Sequence, residues 1–160
     1  MPLPTLQGQT ISQPSTVAFI IELLSPKKGE KILDVGAGSG WTTALLACIT
    51  REKDQVYGVE RIPELVQFSN DNIKKVKSLK KLPTVFQADK RLGLPDIAPF
   101  DKILVAATAI SIPDELVAQL KVGGRLVIPV DASVWKVDKI SETEIKKTEY
   151  PGFLFVPLIY

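Results

Sequence analysis

The stretch Leu33–Trp41, LDVGAGSGW, sets an acid, Asp34, two residues ahead of three alternating glycines, Gly36, Gly38 and Gly40. Glycines so spaced let a turn adopt dihedrals closed to other residues, and they let backbone approach a ligand closely. A dinucleotide fingerprint, G-x-G-x-x-G or A, needs a small residue at position 41, where a helix N-terminus receives a pyrophosphate. Position 41 is Trp. The pattern instead suits a ligand with an amino-acid moiety and no pyrophosphate, whose ammonium group Asp34 attracts directly or through water.

S-adenosyl-L-methionine, with S-adenosyl-L-homocysteine as its demethylated product, has that make-up. Its ribose calls for a carboxylate at the end of the second strand, where Glu60 closes QVYGVE. Its adenine is expected by the third strand's end, at Gln87, Ala88 and Asp89. Ser39, inside the glycine turn, joins the expected cofactor positions. Each feature also has a structural reading. The glycine run is then a tight strand-to-helix connection, Glu60 a cap for the helix beginning near Pro63, and Asp89 the start of a turn.

Several chemistries are excluded. The chain has no histidine, so it lacks an imidazole base, a serine–histidine triad and any histidine metal ligand; no metal site is expected. A single cysteine, Cys48, cannot form an internal disulfide, and a reducing, cytoplasmic location is expected. The longest apolar stretches, such as Val17–Leu24 with Glu22 inside it, are too short to span a bilayer. The net charge is +2, and the densest basic run is Lys74, Lys75, Lys77, Lys80 and Lys81. No aromatic residue interleaves these lysines, so they read as a solvated helix end, and neither a nucleic-acid nor a membrane partner is expected.

The elements that must position these residues follow from periodicity. Val17, Ile20, Ile21 and Leu24 recur at helical spacing between Pro14 and Ser25-Pro26. KILDVG then reads as a buried strand, WTTALLACI as a helix, QVYGVE as a strand and 62–76 as an amphipathic helix. TVFQA is a third strand and 89–99 a punctuated loop. DKILVA is a fourth strand, PDELVAQL a short helix, VGG a turn and RLVIPV a fifth strand. Segments 134–141 and 144–149 alternate around a tight turn. The order predicts an α/β fold: a doubly wound, mostly parallel Rossmann-like sheet with helices on both faces and an antiparallel C-terminal edge pair. With 160 residues, 45% hydrophobic and 24% charged, one domain over 1–160 is expected, as a monomer.

Several segments together resemble the protein-L-isoaspartate O-methyltransferase family of class I S-adenosylmethionine-dependent enzymes. They are GQTISQP at 8–14, LDVGAGSGW at 33–41, VERIPELV at 59–66, PFDKILVAAT at 99–108, IPDELVAQLKVGGRLVIPV at 112–130 and FVPL at 155–158. The resemblance implies methyl transfer to the free α-carboxylate of L-isoaspartyl residues in damaged proteins or peptides, a protein-repair reaction. It assigns Ser12 as the active-site residue, with Thr10, Ile11 and Gln13 in the same binding segment. It carries cofactor contacts to Asp34, Gly36, Gly38, Glu60 and Asp89, and it implies a short form without the segment usual before PLP. Where the family commonly has Gly-Asp-Gly, this chain has Ala88-Asp89-Lys90.

The absence of histidine agrees with that chemistry. A carboxylate with a pKa near that of a chain terminus, about 3.5, is ionised at neutral pH and needs no general base. What it needs is alignment with the methyl group, which Ser12 supplies as a hydrogen-bond donor. Ser12 also reads as a cap for the first helix. Other readings of the chain are a methyltransferase for another carboxylate or a small molecule, and a cofactor-binding protein with little or no activity.

Overall fold

The computed structural model describes residues 3–4, 10–11, 13–51, 55–153, 155, 157 and 158. A short antiparallel pair, β1 (Leu3–Pro4) with β2 (Thr10–Ile11), precedes the first helix. No strand is predicted there, because two residues leave no alternation to read. α1 (Pro14–Leu24) begins at its expected proline and stops at Ser25, whose φ of 52° is the left-handed conformation common at helix ends. Then come β3 (Lys31–Val35), α2 (Trp41–Thr50), β4 (Gln55–Glu60), α3 (Pro63–Lys74) and β5 (Thr84–Gln87). They are followed by β6 (Phe100–Val105), α4 (Asp114–Ala118), β7 (Leu120–Val130), β8 (Ser133–Lys139) and β9 (Ile145–Pro151). No described helix is long and apolar enough to cross a membrane.

Seven strands form one sheet in the order β5-β4-β3-β6-β7-β8-β9. Strands β3 to β7 pair in parallel, and β8 and β9 add on antiparallel. This is the doubly wound sheet with an antiparallel edge that the alternation of elements predicts. The chain builds outward from β3 to β5, then crosses back to lay β6 on the other side of β3. Sheets of this kind open a crevice at the carboxyl ends of the strands where the direction of winding reverses.

The pleat sorts the core into two faces. Leu33, Val35, Ile103, Val105, Leu126 and Ile128 share one face with Leu116 of α4. Ile32, Leu104 and Val127 share the other with Ile20 and Leu24 of α1 and with Leu46 and Ala47 of α2. Because α4 is short, the segment after β5 completes the first face through Leu92, Leu94 and Ile97. Gln119 fastens that segment: its side chain accepts from Leu94 N (2.9 Å) and donates to Leu92 O (2.8 Å). On the other face Arg125 ties α1 down, donating from Nε to Asp138 Oδ1 (2.7 Å) and from Nη1 to Leu23 O (2.9 Å).

The predicted VGG turn is a bulge inside β7. Leu120 pairs with Phe100 and Arg125 with Lys102, so β7 gains residues on β6 at this point. A Cβ on Gly124 would lie 2.8 Å from Lys121 O and 2.9 Å from Asp101 O, so a side chain there would block the crowding that keeps the strand continuous.

Candidate active site

Asp34 lies next to last in β3, on the face of Ile32, with Gly58 and Leu104 as its register partners. The residue is fully buried. Its Oδ2 accepts the hydroxyl of Thr43 at 2.7 Å, and its Oδ1 has no hydrogen-bond partner among the described residues. Burial raises this carboxyl to about 6; the Thr43 bond opposes the shift and the charge of Glu60 adds to it. A Cβ on Gly58 would stand 2.8 Å from Val85 Cγ2 and 3.2 Å from both Ala37 Cβ and Thr43 Oγ1. The bare backbone of β4 therefore lets Asp34, Ala37 and Thr43 gather beneath the turn.

Gly36 N and Ala37 N donate to Val59 O at 2.9 and 3.1 Å, hanging the glycine turn on the end of β4. Gly36, Gly38 and Gly40 all have positive φ, at 80°, 57° and 84°. Their surroundings differ: a Cβ on Gly40 would lie 2.8 Å from Ser69 O, whereas one on Gly36 would meet nothing within 4 Å. Gly40 thus serves packing against α3, and Gly36 faces open space. From α3, Ser69 Oγ donates to Gly38 O and Asn72 Nδ2 donates to Ser39 O at 3.0 Å. Ser39 Oγ accepts from Trp41 N at 3.4 Å.

Glu60 closes β4 and is nearly buried. Its Oε2 accepts Gly38 N at 2.9 Å, and its Oε1 accepts Arg61 N at 2.9 Å and Ile62 N at 3.1 Å. It holds both the glycine turn and the lead-in to α3, leaving roughly one of a carboxylate's four or so acceptor positions open. Asp89 stands at the same edge, since Ala88 N donates to Glu60 O at 2.8 Å. Asp89 is exposed and starts a turn: its Oδ1 accepts Arg91 N at 2.6 Å, and its Oδ2 pairs with Arg91 Nη2 at 2.8 Å. The hydrogen bonds from Arg91 hold its carboxyl below the usual range. Arg91 also pairs with Asp96 at 2.7 Å.

On the other side of β3, the residues after β6 form a pinned loop. Ala106 N donates to Val35 O (3.2 Å), Ala109 N to Pro129 O (3.0 Å) and Leu158 N to Thr108 O (2.7 Å). Within it Thr108 Oγ1 is buried with no hydrogen-bond partner among the described residues, and Ile110 is 90% exposed.

A buried acid under a glycine turn, with a second acid at the end of the neighbouring strand, is one arrangement among many parallel sheets, and the whole chain narrows it. The family model for protein-L-isoaspartate(D-aspartate) O-methyltransferase matches residues 1–160. The chain belongs to that family. Protein-L-isoaspartate O-methyltransferases of Methanopyrus kandleri and Thermococcus onnurineus are each 44% identical to it, over 99% of this chain and 71% and 73% of theirs. A protein-L-isoaspartate O-methyltransferase of Plasmodium falciparum, solved in complex with S-adenosyl-L-homocysteine, superposes with a TM-score of 0.87 at 28% identity. That match covers 99% of this chain and 79% of the other.

Of the family's binding segment, Thr10 and Ile11 form β2, paired with Pro4 and Leu3. Gln13 takes the cap position of α1, where its carbonyl accepts Val17 N at 3.0 Å and its side chain makes no capping hydrogen bond. Ser12 lies outside the described residues. Among the described residues no group of three or more His, Cys, Asp or Glu side chains is placed to hold a metal ion. Sequence reasoning overlooked Thr43, Ser69 and Asn72, which fix the acid and the turn. A signal existed for two of them: Thr43 and Ser69 fall on the buried stripes of α2 and α3 with Ala47 and Ile73, where a polar side chain needs a partner.

Proposed function

We propose that this chain transfers the methyl group of S-adenosyl-L-methionine to the free α-carboxylate of L-isoaspartyl residues in damaged proteins and peptides, as a repair enzyme. The observation that carries this reading is the family match over residues 1–160, which takes in both the glycine turn and the TIS segment.

The residues present fit the cofactor. Asp34 and Glu60 concentrate negative charge at the end of β3 and β4, which suits a ligand bearing an ammonium and a sulfonium. Because Asp34 is fully buried, it acts through its field and through Thr43, while Gly36, Gly38 and Ser39 line the turn above it. Glu60 has acceptor capacity left for a ribose hydroxyl, and Asp89 stands at the adenine side. Thr10, Ile11 and Gln13 complete the cofactor set ahead of α1. When bound, the cofactor supplies an electrophilic methyl group.

The chain's own task is placement. Ser12 donates to the acceptor carboxylate and orients it, and no proton is removed, in keeping with a chain that has no histidine. The enzyme works as a monomer of one domain over residues 1–160, in the cytoplasm, with polypeptide and no nucleic acid as its partner. Incubation with an isoaspartyl peptide and methyl-labelled cofactor yields a base-labile methyl ester. Transfer no greater than to the matching aspartyl peptide would overturn the reading.

A further inference from the structure

Ile110 is the most exposed large apolar side chain among the described residues, at 90%; the other exposed ones lie between 37% and 51%. Single exposed apolar residues are ordinary on a protein surface, so exposure alone decides nothing. Its place does. Ile110 lies in the middle of the loop that leaves β6 at the carboxyl edge, directly after the stretch held by backbone bonds to β3, to β7 and to Leu158. Holding an apolar side chain out on a fixed support gives the isolated molecule no packing. It does prepare a contact whose ordering cost has been met in advance.

The loop departs from a self-sufficient surface a second time, since Thr108 Oγ1, two residues earlier, is buried with no hydrogen-bond partner among the described residues. Departures from local rules gather at functional sites. The glycine turn, Glu60 and Asp89 belong to the β3, β4 and β5 side of the crevice. The β6 and β7 side is therefore where an acceptor enters, and an acceptor residue inside a polypeptide brings neighbours that must cross this rim.

We infer that Ile110 is a specificity contact for the acceptor polypeptide, favouring isoaspartyl residues flanked by apolar side chains. This rests on the isoaspartyl reading above.

Four peptides separate the two ideas: isoaspartyl or aspartyl at the centre, with Leu or Ser on both flanks. Their binding to protein loaded with S-adenosylhomocysteine is measured by calorimetry, and methyl transfer to the isoaspartyl pair by initial rates. The expected result is a preference for Leu flanks of about fivefold or more in Kd and KM, from burial of part of the Ile110 side chain. Ile110→Ser erases it by weakening only the Leu-flanked peptides, with kcat and S-adenosylhomocysteine affinity unchanged, and Ile110→Leu keeps it. Equal binding of Leu- and Ser-flanked peptides by the unaltered protein, or a preference that survives Ile110→Ser, overturns the inference. The isoaspartyl reading fails on a different axis, when isoaspartyl and aspartyl peptides of the same flanks are treated alike. Because Ile110 is 90% exposed, its substitution does not threaten the fold.

Discussion

On the β4 side of the crevice Glu60 takes three backbone amides, and Ser69 and Asn72 hold the carbonyls of the glycine turn. On the β6 side the buried hydroxyl of Thr108 has no partner among the described residues, and Ile110 is 90% exposed. Apart from Asp34 Oδ1, the first side is held rigid by the protein's own hydrogen bonds, as suits a ligand that is identical in every turnover. The second is left for something variable to complete, as suits an acceptor that is a different polypeptide each time. Damage to the two sides should therefore be read on different instruments: cofactor affinity for one, turnover and acceptor KM for the other.

Ser12→Ala should have the largest effect and only on the acceptor side. Turnover is expected to fall by about a hundredfold or more through misplacement of the carboxylate, with S-adenosylhomocysteine affinity nearly unchanged. Equal losses in both, by steady-state kinetics and calorimetry, would break the division between the sides. Glu60→Ala should do the reverse, weakening S-adenosylhomocysteine by about ten- to a hundredfold, the worth of hydrogen bonds to a charged group. It also strands the amides of Gly38, Arg61 and Ile62, so the melting temperature should drop with it.

Asp34→Asn sharpens the contrast through pH. The folded-state carboxyl sits at about 6, above the ordinary value of 3.8, because burial disfavours its charge. The fold therefore favours the protonated form, and the stability it contributes is present below about pH 4 and is lost as pH rises through about 6. Asparagine removes that loss. The variant is expected to be more stable than the parent at pH 8, by on the order of 2 kcal/mol, with the gain vanishing near pH 4. Its cofactor binding should move the other way: at pH 8 S-adenosylmethionine, with its positive sulfur, weakens more than S-adenosylhomocysteine. A variant that loses stability at pH 8, or loses both ligands alike, would mean that Asp34 acts as a packing element and not through its charge.

The strands and the glycine turn were legible because they are written in local terms: short apolar runs ending at Asp34 and Glu60, and glycines where φ is positive. What escaped reading depends on contacts across the sequence. Asn72 looks like any polar residue on an exposed helix face until α3 is laid beside Ser39. Glu60 allowed two readings, cap or ligand; neither foresees that one oxygen receives the two amides before α3 and the other reaches across to the backbone of Gly38. The VGG segment carries the residues of a turn, yet pairing with β6 on both sides of it makes it a bulge. Arg91 was passed over because an exposed arginine in a loop gives no sign of acids on either hand, at Asp89 and Asp96.

Arg125 acts at a distance. Its guanidinium joins Leu23, in the last turn of α1, to Asp138 in β8. A helix is a stiff rod, and in the 11-residue α1 the anchor at Leu23 stands roughly 13 Å along the axis from its first residue, Pro14. The first turn follows directly on Gln13 and the TIS segment. The start of the helix, and Gln13 at its cap position, is thus set from the far end, like a pointer clamped at its tail. A lysine in place of Arg125 has no planar fork to grip both partners at once, and the slack would be felt at the first turn of α1.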